Sequence, residues 1–450
     1  EIAPGIYDFG DHNKNNNLTM FLELCKKHNL YVCLRPGPHI NAELDCFGYP
    51  ERIVFDEEIM ARTAYGTPAV YPYATRPFPI PSYSSQKLYI EVEKYFAAVY
   101  EQIKDYIYPF GPVIALQADN ENCNFFRDSA YILDYSESSI IEYQDFLLDK
   151  YHGLEGISNK YNIKFIAKED IKPPTGFNAE NGVSEFIKCM DWMRFKEYQI
   201  TNAVKKIADI WRRKNIDIPI YHNIAFQCYT PINLYDLEQK AVDLAGIDMY
   251  LYPNQASEIR HKCRYMACCS QLPFVPEFLS GVWFDNPKTP TVDEEKFVTL
   301  YALMNGLRAI NFYMLVERDR WQGCPITRDG RIRKEYYDFY MQLSQVIETS
   351  GLNKNSIQPR ILLLKNCMYS REDFNPIVSN AFVQILDIPR ELFKPKKFLG
   401  LKIEDEEWRH WNDDPWLSEI ESILAKNSLE YHISDGHISQ DDLKDYNFVF

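Results

Sequence analysis

Val113-Ile114-Ala115-Leu116-Gln117-Ala118-Asp119-Asn120-Glu121-Asn122 is the stretch on which the reading of this chain turns. Its first four residues are apolar and β-prone, as a buried strand requires. They follow a long helical pattern over 88–106. The polar residues come directly after, so they lie at the strand's carboxyl end. In β/α barrels that end carries the active site. The same cluster also suits a helix N-cap with acidic residues near the helix dipole. Spacing alone leaves both readings open.

Outward from this stretch the same alternation repeats. Apolar runs at 30–34, 113–116, 218–226, 244–250, 274–278 and 309–316 read as strands. Helical patterns at 18–27, 88–106, 184–213, 258–268, 292–307 and 334–349 separate or follow them. Such β–α alternation predicts parallel strands with crossover helices. Six strands before residue 350 are two short of a (β/α)8 TIM barrel, so the expectation is that the first two precede Glu1. The Pro- and Tyr-rich run 71–83 (YPYATRPFPIPSY) predicts an ordered surface loop without regular structure. Residues 151–177 form a long insertion between two strands. Near 351–359 the pattern resets. Apolar runs at 360–365, 431–433 and 448–450, with a helical pattern at 416–426, predict a smaller α/β domain. The expected division is therefore 1–352 for an N-terminally incomplete barrel and 357–450 for a C-terminally incomplete α/β domain.

Composition narrows the function classes. At 450 residues two domains are the natural expectation. A net charge of −15 argues against nucleic acid and anionic membranes as partners, since both select basic surfaces. No run approaches the ~18 apolar residues of a membrane span. Eleven cysteines without a framework fit a reducing, cytoplasmic setting better than an oxidising one. His261, Cys263, Cys268 and Cys269 match no standard zinc spacing, so no metal is expected there. The 15% aromatic content mildly favours a sugar site. Homo-oligomerisation is left open.

A second carboxylate stands in Phe274-Val275-Pro276-Glu277-Phe278. A glutamate inside an apolar strand is costly unless paired or functional. A barrel salt bridge is the alternative. Together, Glu121 and Glu277 at separate strand ends suit glycoside hydrolysis, which needs two carboxyl groups flanking the bond, roughly 5 Å apart for retention. That chemistry requires no cofactor. Tyr250, at another strand end, is placed to hydrogen-bond a nucleophile there; a rim tyrosine is the alternative. Trp283 and Trp321 are candidate stacking platforms for an oligosaccharide or glycoside, with rim packing as the alternative.

Three motifs then carry a family resemblance. They are Tyr7-Asp8-Phe9, the run Leu34-Arg35-Pro36-Gly37-Pro38-His39-Ile40-Asn41-Ala42-Glu43, and Gly48-Tyr49-Pro50. With 117–122, Glu277 in its Pro-Glu-Phe-Leu-Ser-Gly-Val-Trp-Phe-Asp context and Asn311-Phe312-Tyr313-Met314, they resemble glycoside hydrolase family 35, the β-galactosidases of clan A. The insertion 151–174 is more similar to family 42 of the same clan. The 360–450 domain resembles the amidotransferase-like domain that follows the family 42 barrel. The resemblance implies a (β/α)8 barrel and exo-acting, retaining cleavage of a terminal β-linked sugar. It implies Glu121 as acid/base, Glu277 as nucleophile and Asn120 on the 2-hydroxyl. It further implies Asn41, Ala42, Glu43 and Tyr313 around the remaining hydroxyls. Arg35 is expected to brace the barrel end rather than touch sugar.

Two departures bear on the sugar. Leu44 stands where family 35 usually has Trp, and Leu315-Val316-Glu317-Arg318-Asp319-Arg320-Trp321 replaces its Gly-Gly-Thr-Asn stretch. Arg318 and Arg320 would either bind a charged or extended substrate or pair with Glu317 and Asp319. The rival functions are a β-glucosidase, a β-glucosaminidase, a transglycosylase, or a carbohydrate-binding protein without catalysis.

Overall fold

The structure is a computed structural model that describes residues 1–41, 44–71, 76–122, 131–176, 182–225, 230–283, 288–365, 367, 415–436 and 440–450. The chain divides into two units, with the boundary inside a strand, after His222.

The first unit takes most of its residues from 1–222 and 230–243. Strand β1 (Val32–Leu34) follows the helix Leu18–Lys27, whose N-terminus is capped by the Asn17 side chain on the Met20 N–H. A short antiparallel ribbon comes next, β2 (Val70–Tyr71) with β3 (Phe78–Pro79). Strand β4 (Val113–Asn120) runs parallel to β1, with Val32 opposite Val113 and Leu34 opposite Leu116. On its other side, the Leu116 N–H donates to the Pro219 carbonyl, at the start of β5 (Ile220–Ile224).

One expectation is corrected here. Much of the run 71–83 is not a surface loop. Phe78, Ile80, Ser82 and Tyr83 are buried. Phe78 packs edge-on against Phe47 at 5.2 Å between ring centroids. Proline disfavours regular structure, but Phe78 and Ile80 still gain by leaving water, and that gain decides the fold of the segment. Residues 72–75 lie outside the described part.

The insertion after β4 makes a core of its own. Helices Glu137–Lys150 and Leu154–Tyr161 pack Tyr143, Leu147, Ile157 and Tyr161 against Trp192 and Phe195 of the long helix Val183–Arg212. Asp191 is buried there with Lys150 and accepts from the hydroxyls of Tyr151 (2.7 Å) and Tyr161 (2.8 Å). A buried carboxylate is tolerated because all these partners satisfy it.

The second unit takes 223–225, 244–365 and 415–450. The Asp248 N–H donates to the Ile224 carbonyl, so β6 (Leu244–Ile247) follows the end of β5. Gly246 permits a close approach to the next strand: a Cβ there would lie 2.4 Å from the Phe274 carbonyl oxygen. That neighbour, β7 (Phe274–Leu279), is followed by β8 (Val282–Trp283). Strand β9 (Ala309–Tyr313) runs parallel to β7, and β10 (Trp321–Gln322) pairs antiparallel with β8. Helices Ala256–Cys269, Val292–Met304 and Lys334–Ser350 separate or follow these strands. The six barrel strands β1, β4, β5, β6, β7 and β9 thus correspond to the six apolar runs.

The last segment builds a parallel sheet of β11 (Ile361–Leu364), β12 (Tyr431–Ser434) and β13 (Phe448–Val449), ordered β12-β11-β13. The helix Ala256–Cys269 holds it. Arg260 donates to the Tyr431 hydroxyl at 2.9 Å, and the Tyr265 hydroxyl donates to Asp435 at 2.6 Å. His261 meets Glu421 at 2.8 Å and Cys269 faces the Ile433 carbonyl. These contacts account for His261 and Cys269 as packing groups of this sheet. Among the described residues no three His, Cys, Asp or Glu side chains group so as to hold a metal ion, and no helix is long and apolar enough to cross a membrane.

Candidate active site

In the first unit the polar run 117–122 proves to be the end of the strand itself. β4 continues to Asn120, and Gln117, Asp119, Asn120 and Glu121 are all buried. Glu121 then takes φ +39°, a left-handed conformation that a glutamate rarely adopts. Asn41, after β1, is also left-handed at φ +59°. Such outliers persist only where the surroundings hold them, often at functional sites.

The surroundings here are a network between the ends of β1 and β4. The His39 N–H donates to Asp119 at 2.9 Å, and the Asn120 N–H donates back to the His39 carbonyl at 3.2 Å. Burial pushes the Asp119 carboxyl well above the usual carboxylate range. Arg35 Nε donates to Gln117 Oε1 at 3.1 Å, and Arg35 also donates to Asn120 Oδ1. Arg35 therefore braces this end of the barrel, as expected. Asn41 Nδ2 donates to Glu121 Oε2 at 3.3 Å. The neighbouring Asn122 side chain meets His222 Nε2 at 3.0 Å; burial holds that imidazole down at about 3, hence neutral. Asn41, Asn120 and Glu121 thus come together. Ala42 and Glu43 lie outside the described residues.

In the second unit Glu277 owes its setting to Pro276. Pro276 has no N–H to give to a ladder, and the β7–β9 register shifts between Val275 and Phe278. Asn311 Nδ2 bridges the gap by donating to the Pro276 carbonyl at 2.9 Å. The Glu277 side chain is buried. The Tyr250 hydroxyl donates to its Oε2 at 2.5 Å and Asn223 Nδ2 to its Oε1 at 3.2 Å. The same Asn223 amide donates to Asp248 at 2.7 Å, which fixes its orientation.

Aromatic rings wall this carboxylate. Tyr250 lies edge-on to Tyr313 (6.3 Å) and to Trp321 (6.0 Å), and those two rings meet edge-on at 5.0 Å. Trp283 stands opposite Trp321 in the β8–β10 ribbon. Arg318 donates to the Tyr313 hydroxyl at 3.2 Å and lies over the Trp321 ring at 5.8 Å. Glu317 pairs with Arg333 at 2.8 Å, and Asp319 pairs with Arg328. The two acidic neighbours are therefore engaged elsewhere, and Arg318 turns to the aromatic wall. Tyr250, Glu277, Trp283, Tyr313 and Trp321 come together in this unit. Asn223 and Asp248 are additions to the predicted set. Both are polar residues buried at strand ends, the same signal that marks Glu121.

β/α barrels carry their chemistry at the carboxyl ends of the strands, and two carboxyl groups there suit a clan A glycoside hydrolase. The chain belongs to glycoside hydrolase family 42, whose model, described as beta-galactosidase, matches residues 3–324. The fold is that of the (β/α)8 TIM barrel with an additional domain. The crystal structure of beta-galactosidase from Bacillus circulans sp. alkalophilus matches it with a TM-score of 0.72 at 15% identity, over 100% of this chain and 60% of that one. An exo-beta-D-glucosaminidase of Thermococcus kodakarensis is 30% identical over 234 residues, 49% of this chain but 28% of that protein. A beta-1,2-glucosyltransferase of Ignavibacterium album is 24% identical over 334 residues, 70% of this chain and 45% of that protein. The chain thus spans less than half the length of these two curated relatives and 60% of the crystal-structure chain. The motifs at 35–50 point first to family 35; the family shown is 42, the one that the insertion and the C-terminal domain resemble.

Proposed function

We propose that this protein is a retaining exo-β-glycosidase of the β-galactosidase type, with Glu277 as nucleophile and Glu121 as acid and then base. The reading is carried by the state of the two carboxylates. Each is buried at a strand's carboxyl end and each accepts hydrogen bonds from neutral donors, Tyr250 and Asn223 on Glu277, Asn41 on Glu121. Such donors hold a carboxyl group in one orientation, as a nucleophile or a proton-transfer group requires.

In this mechanism a Glu277 oxygen attacks the anomeric carbon as Glu121 protonates the departing glycosidic oxygen. Water, deprotonated by Glu121, then attacks the same carbon and the bond to Glu277 breaks. Asn120, its Oδ1 held by Arg35, presents its amide N–H to the sugar 2-hydroxyl. Asn41, Ala42, Glu43 and Tyr313 take the other hydroxyls, and Trp283 and Trp321 wall the sugar. Residues 1–352 form the catalytic barrel in this reading and 357–450 an α/β domain. Nine described cysteines, all free thiols, support a reducing, cytoplasmic setting.

A sugar other than galactose is the second reading. The loop 315–321, which lacks the family 35 pattern, favours it by laying Arg318 on Tyr313. A guanidinium there suits a neutral or anionic sugar better than an ammonium-bearing glucosaminide.

The test is a panel of nitrophenyl β-glycosides, with the first-formed sugar followed by proton NMR. Turnover of a β-galactoside with release of the β-anomer is the expected result. Release of the α-anomer would refute retention, and preference for another sugar would move the assignment to the second reading. In the same assay, Tyr250→Phe should lower kcat by about ten- to a hundredfold, the worth of one hydrogen bond to a charged group. An unchanged kcat would remove Tyr250 from the machinery.

A further inference from the structure

Groups that the chemistry does not use brace the nucleophile strand from behind. Ser280 follows Glu277 by three residues and is fully buried. Its N–H donates to the Tyr313 carbonyl at 3.0 Å, and its own carbonyl accepts from the Met314 N–H at 2.6 Å and the Trp321 indole N–H at 3.3 Å. One residue therefore ties the end of β7 to the end of β9 and to the aromatic wall. Its hydroxyl lies 3.1 Å from the Tyr340 hydroxyl, and Tyr340 donates to Glu295. Tyr340 comes from the helix Lys334–Ser350 and Glu295 from the helix Val292–Met304.

Glu295 is 2% exposed and faces Leu251, Phe278, Leu279 and Val298. A carboxyl group in such surroundings costs stability. An apolar residue would fill the space without that cost, so packing alone does not explain it.

We propose that Glu295, Tyr340 and Ser280 form a positioning relay that holds the end of β7, and with it Glu277 and the wall of Tyr313 and Trp321, in the reactive arrangement. The inference rests on the reading of Glu277 as nucleophile. When Glu295 is ionised, Tyr340 donates to it and Ser280 donates to Tyr340. A neutral Glu295 carboxyl donates to Tyr340, which then donates to Ser280, so protonation reverses the relay. Burial pushes the Glu295 carboxyl up to about 7, with hydrogen bonds from Tyr340 and, directly, from Ser280 offsetting part of the rise. The titratable groups around it are Tyr340 and Tyr336 of the helix 334–350, Cys324 after β10, Tyr252 after β6 and Glu294 of its own helix. In the working range near neutrality Glu295 is the group whose charge changes, since burial raises Tyr340, Tyr336 and Cys324 above their ordinary values.

The experiment uses the full chain with a nitrophenyl β-glycoside that it turns over, and the variants Tyr340→Phe and Glu295→Gln. A mechanism-based 2-fluoro sugar first locates the nucleophile in the unaltered protein. The expected result is label on Glu277, kcat about tenfold lower in each variant with KM within twofold, and a double variant no slower than the slower single one. Glu295→Gln should also remove an inflection near pH 7 from the kcat profile. Should Tyr340→Phe fail to fold, Glu295→Gln, which keeps size and an acceptor oxygen, carries the test. Label on Glu277 with kcat and pH profile unchanged in the variants overturns the relay and leaves the nucleophile standing. Label elsewhere overturns both.

Discussion

Glu277→Gln is expected to lower kcat on a nitrophenyl β-glycoside by about 10⁴-fold or more while the protein stays folded. The amide keeps the size of the carboxyl and retains an acceptor for Tyr250 and Asn223, so the pocket need not rearrange. It cannot supply the negative oxygen that bonds to the anomeric carbon, so the double displacement has no first step. In kcal/mol the loss corresponds to roughly 5 to 6 of transition-state stabilisation. Glu277→Ala separates this from general damage: azide should occupy the vacated space and give the α-glycosyl azide from a β-glycoside by a single inversion. Residual turnover above a few per cent in Glu277→Gln, or failure of azide to give the α-product, would place the nucleophile elsewhere.

Glu121→Ala should produce a different pattern, because a general acid matters in proportion to the basicity of the leaving group. On an alkyl β-glycoside kcat should fall by about 10²- to 10⁴-fold. On a dinitrophenyl glycoside the departing phenolate needs little help, so the first step should survive and glycosyl-enzyme should accumulate as a burst. Azide should then restore turnover and yield the β-glycosyl azide, since it attacks the intermediate from the face opposite Glu277. Equal losses on both substrates would mean that Glu121 binds sugar without transferring protons. Opposite azide products from the two alanine variants give the roles independently of any distance between the carboxylates.

The two glutamates were legible for different reasons. Glu121 shows in the sequence because an apolar strand runs directly into polar residues, and burial of Gln117, Asp119 and Asn120 confirms that the strand itself carries them. Glu277 shows because a charge interrupts an apolar run. Their supports were less visible. Arg35 and Asn120 meet across 85 residues of chain, Asn223 and Glu277 across 54, and Ser280 and Tyr340 across 60. Nothing local to Glu295 distinguishes a residue aimed at a site from one aimed at a neighbouring helix. Residues 71–83 illustrate the same limit. Their prolines predict a surface loop, yet where Phe78 and Ile80 go depends on Phe47 and the packing around it, which the segment itself does not encode.

By itself, then, the sequence determined the order and kind of the elements and the two strand ends where carboxylates stand, because periodicity and burial cost are local properties of the chain. Tertiary structure decided what each carboxylate touches. It supplied Tyr250 and Asn223 to Glu277, set Asn41 on Glu121, turned Arg318 onto Tyr313 and linked Glu295 through Tyr340 to Ser280. Those partners come from different strands and helices. Hydrogen-bond direction and ring packing between them follow from how the elements pack, and that is settled only when the whole core closes.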